Sequence, residues 1–269
     1  SNATVNEDYY VKEAYSIVEK EYKGKTFPNN HGYLKYIDDV LKDIKALLPD
    51  IDYVTTMATI LHKIPIKELR GLLKTNKNIG EKEKKRIIEL VEKVQRVNNL
   101  PFLLPSRGDY MIQNHMNAII QLAEEPEVMY IVFASKLNMI KASVNSGYET
   151  YLSREVNQIY AFLAERLGED GLAQRLREEN FKVTNHEKYL EIKGKVESIL
   201  GMDYDTARQS LETAKANVAG ILAKKGINAR VEARLKGLYS LSEKINSQKI
   251  TIDEVKDLFG IRIIFSSEE

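Results

Sequence analysis

Residues 226–236 read Gly-Ile-Asn-Ala-Arg-Val-Glu-Ala-Arg-Leu-Lys, and within them the hydrophobic period changes. Ile227, Ala229, Val231, Ala233 and Leu235 alternate with Asn228, Arg230, Glu232, Arg234 and Lys236, the two-residue repeat of a strand with one dry and one wet face. The segment before Gly226 has the helical period instead. From about Asp205 to Lys225, the residues Ala207, Leu211, Ala214, Val218, Ile221 and Leu222 form a stripe expected to face inward. Lys224 and Lys225 lie at the negative end of the helix dipole, and Gly226 terminates it. Downstream, Gly237 to Ile245 returns to helix, Thr251 with Glu254 makes a capping box, and Gly260 precedes Ile261-Arg-Ile-Ile-Phe265, a second strand. The fold is therefore expected to be mainly α: an all-helical bundle leading into the start of an α+β unit with two strands. Two strands do not make a stable sheet of their own, so that second domain is expected to be truncated or completed by a neighbour.

Outward from this stretch, all six prolines (Pro28, Pro49, Pro65, Pro101, Pro105, Pro126) fall in the first half and separate helical segments. Ile37, Val40, Leu41, Ile44, Leu47 and Leu48 follow one amphipathic stripe, and Ile87, Leu90, Val91, Val94 and Val97 another. The charge run Glu81 to Arg86 reads as the solvated first turn of the second helix. Val128 to Ala142 is apolar almost all round, with Pro126 placed for a helix's first turn, and predicts a central buried helix. Val156 to Leu167 predicts another, stopped by Gly168.

The chain has 269 residues, 43% hydrophobic and 29% charged, with 14 Gly and 6 Pro. At roughly 150 residues per domain, one or two domains with a real core are expected, and disordered or fibrous classes are excluded. Forty Lys and Arg against 39 Asp and Glu leave a net charge of +1, so no global field draws the molecule to DNA or to anionic lipid. With no Cys, disulfides, thiolate metal sites and cysteine nucleophiles are excluded. No apolar run approaches the roughly 20 residues that span a bilayer, no signal peptide is visible, and no membrane partner is expected. Ser1-Asn2-Ala3 reads as a vector remnant.

The cluster from Arg230 to Lys249 carries the most chemical information. Five basic residues (Arg230, Arg234, Lys236, Lys244, Lys249) against Glu232 and Glu243 leave a local +3, suited to a polyphosphate. Arg binds phosphate oxygens bidentately or stacks on a base, Lys supplies a point charge, and a hydroxyl such as that of Ser240 donates a hydrogen bond. Lys236, Ser240 and Lys244 are spaced i, i+4, i+8, continuing one polar edge. Asp257 is placed as a Mg ligand for nucleotide chemistry. On spacing alone, an ordinary solvated strand face and a solvated or capping Asp are the more common readings of these residues.

These residues resemble a specific family. Arg230-Val-Glu-Ala-Arg-Leu-Lys-Gly-Leu-Tyr-Ser-Leu-Ser-Glu-Lys244, followed by Asp257-Leu-Phe-Gly-Ile-Arg-Ile263, is similar to the opening of the synthetase domain of RelA/SpoT-type (p)ppGpp synthetase/hydrolases. Ser153-Arg-Glu-Val-Asn-Gln-Ile-Tyr-Ala-Phe-Leu-Ala-Glu-Arg-Leu-Gly168 is similar to the end of the family's helical hydrolase domain. The resemblance implies that Arg234, Lys236, Ser240 and Lys244 contact ATP, with Arg234 near the adenine, and that Asp257 holds Mg. The implied reaction moves the β,γ-pyrophosphate of ATP to the 3′-hydroxyl of GTP or GDP. Ala233, Leu235 and Gly237 depart from the family's Gly, Pro and common His, and the 269 residues alone are expected to make no (p)ppGpp.

The first half resembles an HD-type phosphohydrolase domain that has lost its metal ligands. Active relatives use a His, an adjacent His-Asp pair and a distant Asp, with a Glu-Asp pair close behind. Here Tyr36 falls at the first His, His62 and Lys63 at the pair, and Ser135 at the distant Asp, within Val128-Met-Tyr-Ile-Val-Phe-Ala-Ser-Lys-Leu-Asn138. Ile66 and Lys67 fall at the Glu-Asp positions. One imidazole beside a cation does not hold a divalent ion, so no Mn is expected there. His31 lies farther from His62 than the family spacing allows; His115, in a helix, and His186, in a connecting region, read as structural.

The domains so implied are 4–180, a degenerate hydrolase domain, and 181–269, the N-terminal part of a synthetase domain. The implied parent is a cytoplasmic GTP pyrophosphokinase of the stringent response, using Mg with ATP and GTP or GDP. A non-catalytic regulatory module binding guanine nucleotides such as (p)ppGpp, and a (p)ppGpp 3′-pyrophosphohydrolase with an unusual site, remain as alternatives. No motif speaks for the ribosome or another regulator as partner.

Overall fold

The computed structural model describes residues 7–28, 30–101, 109–144 and 146–265, so the vector remnant lies outside the described residues. The chain is mainly helical and divides after Val183 into two units. The first contains α1 (Glu7–Tyr22), α2 (Tyr33–Leu47), α3 (Tyr53–Leu61), α4 (Ile66–Thr75), α5 (Glu81–Asn98), α6 (Asp109–Ala123), α7 (Pro126–Ala142), α8 (Glu149–Glu155), α9 (Ala161–Arg166) and α10 (Asp170–Thr184).

Local chemistry sets the ends of these helices. Asp52 caps α3 by accepting a 2.6 Å bond from the Thr55 N–H, and Pro126 opens α7, where its missing donor costs nothing. Gly168, at φ +80°, closes α9: the Glu169 N–H reaches the Ala164 carbonyl and the Gly168 N–H the Glu165 carbonyl. That pair of bonds is a Schellman motif, which needs a residue able to adopt the left-handed conformation. As expected, α7 is buried all round, with Val128, Ile131, Val132, Phe133, Leu137 and Ile140 almost wholly covered. It packs against α2 and α5, while α3 packs against α1, α2 and α5. Each such fully buried side chain contributes about 1.5–3 kcal/mol.

The expected regular helix from Val156 to Leu167 is corrected. Residues Val156–Tyr160 form a π turn, closed by the Ala161 N–H on the Val156 carbonyl, before α9 begins. The wider turn still places Val156, Ile159, Tyr160, Leu163 and Ala164 in the core, so periodicity could not reveal it.

The second unit contains α11 (His186–Leu200), α12 (Tyr204–Lys224), β1 (Ala229–Leu235), α13 (Leu238–Gln248), a 3₁₀ turn (Ile252–Glu254) and β2 (Phe259–Phe265). His186 therefore opens a helix instead of lying in a connection. The strands pair antiparallel, with Val231 opposite Ile263 and Leu235 opposite Phe259. The capping box at Thr251 forms, the Thr251 N–H donating to the Glu254 carboxylate over 2.7 Å, although it opens only that single turn. Gly201 and Gly226, both with positive φ, end α11 and the turn after α12.

Two burial expectations are corrected here. Of α12 only Tyr204 is buried, and Ile221 is 55% exposed. The stripe faces β1, but a two-stranded sheet covers too little of a 21-residue helix. The dry strand face is likewise dry only at Val231, and β2 is exposed along its length. Among the described residues no helix is long and apolar enough to cross a membrane.

Candidate functional site

Tyr36, His62 and Ser135, on α2, the end of α3 and α7, converge in the core of the first unit, all nearly inaccessible. His62 Nδ1 lies 2.5 Å from the Thr59 carbonyl. A carbonyl only accepts, so Nδ1 carries the proton and Nε2 presents a lone pair. The Tyr36 hydroxyl fills that lone pair over 3.2 Å, and the Ser135 hydroxyl donates to the Tyr36 oxygen over 2.8 Å. Proton donors thus run in one direction, from Ser135 through Tyr36 and His62 to Thr59. Burial pushes His62 down to about 4, and neighbouring Lys63 adds to this, so the ring is neutral near pH 7. Burial also lifts the Tyr36 phenol above its ordinary range.

Lys63 sits beside this chain under an aromatic column. Tyr22 stacks on Tyr33 at 4.9 Å and Tyr33 on Phe27 at 4.1 Å, while Phe27 meets Tyr36 edge-on. The Lys63 ammonium lies 5.4 Å from the Tyr36 ring centre and 6.0 Å from that of Phe27, within cation–π range. Burial, then the cation of Lys136, pushes its amine down to about 8. Ile66 and Lys67 are in the first turn of α4 and bring no carboxylate; the Ile66 N–H donates to the Gln95 side chain. Gln95 also donates to the carbonyls of His62 and Ile64, stitching the chain around His62.

The buried carboxylates of this unit are committed elsewhere. Glu155 pairs with Lys136 at 3.0 Å, both under 10% exposed, and Asp43 accepts from Asn138 and Arg175. Periodicity gave no sign of either contact. The donors gathered around His62 are an engaged imidazole, a phenol, an alcohol and an ammonium. No group of three or more His, Cys, Asp and Glu that could hold a metal ion occurs among the described residues.

The second unit has a cleft of about 340 Å³ at the strand ends, lined by Glu232, Arg234, Lys236, Asp257, Phe259 and Arg262 among others, within the size range of small-molecule sites. Lys236 Nζ lies 2.7 Å from one Asp257 oxygen and Lys244 Nζ 2.5 Å from the other. Lys236, then Lys244, holds the Asp257 carboxyl far below its ordinary range. The Lys236 backbone is fixed on both sides, its N–H donating to Leu258 and its carbonyl accepting from the Tyr204 hydroxyl at 2.9 Å. Arg234 is exposed at the cleft and Ser240 is half-buried on α13, outside the lining. Arg230 is paired with Glu232. Arg262 and Glu232, which sit opposite each other in the sheet register, join the cleft; the signal for Arg262 was its place in the Asp257–Ile263 stretch.

Comparison with known proteins gives these sites a context. The HD-domain family model matches residues 14–169. The chain is 23% identical over 264 residues to the bifunctional (p)ppGpp synthase/hydrolase SpoT of Escherichia coli, covering 96% of this chain and 36% of that protein. It is 26% identical over 274 residues to a probable guanosine-3′,5′-bis(diphosphate) 3′-pyrophosphohydrolase of Mycoplasma genitalium, covering 98% of this chain and 35% of that one. A GTP pyrophosphokinase of Myxococcus xanthus is 22% identical over 260 residues, covering 94% and 33%. The chain thus spans about a third of the length of these curated relatives. With the family model matching more than half of it and RelA/SpoT-type relatives matching nearly all of it, the chain belongs to the HD-domain family, among the RelA/SpoT-type (p)ppGpp synthetase/hydrolases.

Proposed function

We propose that the chain is the N-terminal part of a RelA/SpoT-type (p)ppGpp synthetase whose HD centre no longer hydrolyses (p)ppGpp and whose second unit holds ATP. The observation that carries this reading is the Ser135–Tyr36–His62 hydrogen-bond chain beside Lys63. A divalent ion needs several free anionic or lone-pair donors, whereas His62 Nε2 already accepts from Tyr36 and the adjacent cation repels a metal. These residues do not fit a Mn site.

The residues of the second unit's cleft do fit Mg with a nucleotide. Mg takes one or two carboxylates plus phosphate oxygens, and Asp257 offers an exposed carboxylate between two ammonium groups. When bound, Mg would neutralise charge on the transferring phosphates. In this reading Lys236 and Lys244 turn from Asp257 to the phosphates, Arg234 stacks on the base and Ser240 donates a hydrogen bond. Positioning and charge neutralisation are what such a site supplies to pyrophosphate transfer onto the 3′-hydroxyl of GTP or GDP.

A second reading, retained hydrolysis, is favoured by the names of several relatives, the Mycoplasma genitalium protein among them, which are pyrophosphohydrolases. Both are tested on the purified chain. Incubation with (p)ppGpp and Mn is expected to release no pyrophosphate, and calorimetry is expected to find Mg-ATP binding that Arg234→Ala abolishes. Turnover of (p)ppGpp with Mn would sink the first reading and establish the second.

A further inference from the structure

β2 pairs with β1 and with no other strand among the described residues, and all of its residues are exposed. Phe259 and Phe265 are each 62% exposed, and Ile261, Ile263 and Ile264 are open to solvent as well. Strand alternation puts Phe259, Ile261, Ile263 and Phe265 on one face and Gly260, Arg262 and Ile264 on the other. Edge strands that must stay single usually carry a lysine, a proline, a bulge or a covering element. β2 has no lysine or proline and pairs with β1 without a bulge from Phe259 to Phe265. Its one charged residue, Arg262, lies opposite Glu232 within the sheet.

We propose that the free edge of β2 pairs antiparallel with β2 of a second copy of this chain, joining two two-stranded sheets into one of four strands. The sequence of the strand is what selects a second copy. A two-fold axis through the sheet pairs residues of the same face, so the register centres on a single residue. Centring on Arg262 would set two guanidinium groups directly opposite, which is destabilising. Centring one residue to either side, on Ile261 or Ile263, sets that isoleucine against its own copy and a phenylalanine against an isoleucine. Phe259 then meets Ile263, or Phe265 meets Ile261, while Arg262 meets Gly260 or Ile264, and no like charges face each other. The net charge of +1 adds little repulsion between copies. Two strands alone make a marginal sheet, whereas four are within the usual range.

The test is light scattering after size exclusion on the whole chain, where a one-strand interface at the low end of specific contacts is expected to associate at about micromolar concentration. The mass is expected to rise with concentration from 30.8 kDa toward twice that value. Because the chain has no Cys, a single introduced thiol reports the centre of the register. Directly opposite residues of an antiparallel pair have Cα atoms about 4.5–5.5 Å apart, within disulfide reach. Ile261→Cys or Ile263→Cys, whichever is central, is expected to crosslink the dimer on mild oxidation, and Ile221→Cys on α12 is not. Ile263→Lys is expected to weaken association at least about tenfold by setting charge into the apolar face; Ile261→Lys is the second variant should the first not fold by circular dichroism. A chain that stays at 30.8 kDa at every concentration overturns the proposal. If the β2 amides of such a monomer resist hydrogen exchange, another segment of the same chain holds the edge. A dimer that neither thiol crosslinks and neither lysine weakens overturns it too, since the second copy then sits on another face.

Discussion

Tyr36 and Ser135, 99 positions apart in the chain, share a 2.8 Å hydrogen bond in a part of the core that excludes water. Tyr36 also donates to His62, so its hydroxyl satisfies two buried partners at once. Tyr36→Phe removes both bonds and strands both partners, an expected loss of roughly 1–3 kcal/mol for each group left unsatisfied. Ser135→Ala removes one donor and leaves the Tyr36–His62 bond in place, with an expected loss of about 1 kcal/mol. Urea denaturation of the two single variants and the double variant measures the coupling. Strict additivity would show that the two hydroxyls do not act as a unit.

His62 carries a pH dependence whose sign follows from its burial. Its folded value is about 4, against 6.5 unperturbed. Between these values the unfolded chain binds a proton that the folded chain refuses, so stability falls as pH drops through that window and is unaffected by this group above it. The full effect is on the order of 3 kcal/mol. Thermal melts between pH 7 and 4 are expected to show a steeper decline in wild type than in His62→Gln, which cannot titrate; parallel curves would contradict the assignment.

Lys63 is shifted in the same direction as His62 and by the same cause, burial, its amine pushed down to about 8 with aromatic rings as contacts of its ammonium group. Lys63→Met keeps the length of the stem and removes a charge that is costly to cover. It is expected to stabilise the protein by about 1 kcal/mol at pH 7, a modest figure because the side chain is only half-buried and water screens it. The gain should shrink between pH 8 and 10.5, where the wild-type folded state sheds its proton before the unfolded state does and so becomes more stable itself. A destabilised Lys63→Met at pH 7 would mean that the cation–π contacts outweigh the desolvation.

How far the sequence foretold these features depends on the range of the interaction. His62, Lys63 and Ser135 could be named because a matching segment placed each one, and Tyr36 by its spacing back from His62; the fold then brought three of the four into a single hydrogen-bond chain. The Gln95 stitch, the Lys136–Glu155 pair and the Tyr204–Lys236 bond were invisible, because nothing in a residue's own neighbourhood encodes a partner on another element. The exposed stripe of α12 shows a different limit. Periodicity reports that a helix has an apolar face, whereas burial depends on how much other surface lies against it, and here two strands supply little.

The Lys136–Glu155 pair is buried deeply enough for its two members to behave asymmetrically when changed. Removing one partner leaves an isolated charge in the core, so Lys136→Met is expected to cost about 3–5 kcal/mol. Replacing both, as Lys136→Met with Glu155→Leu, exchanges two desolvated charges for apolar surface and is expected to recover most of that loss. Denaturation midpoints for the single and double variants decide it. A double variant no better than the single would show that the pair holds the π turn at Val156–Tyr160 by its charge and not only by filling space.

Tyr204 offers the sharpest test of how the cleft is held. It is the only residue of α12 that is buried, and its hydroxyl accounts for one of the two backbone bonds that fix Lys236. Tyr204→Phe keeps the ring and removes the bond, at an expected cost of about 1 kcal/mol in stability. A purely structural role would end there. If the hydroxyl positions Lys236, releasing it loosens the contact with Asp257, whose carboxyl is held low chiefly by that ammonium. The Asp257 titration followed by carbon NMR is then expected to move up toward the ordinary carboxylate range in Tyr204→Phe, whereas an unshifted titration would confine Tyr204 to packing.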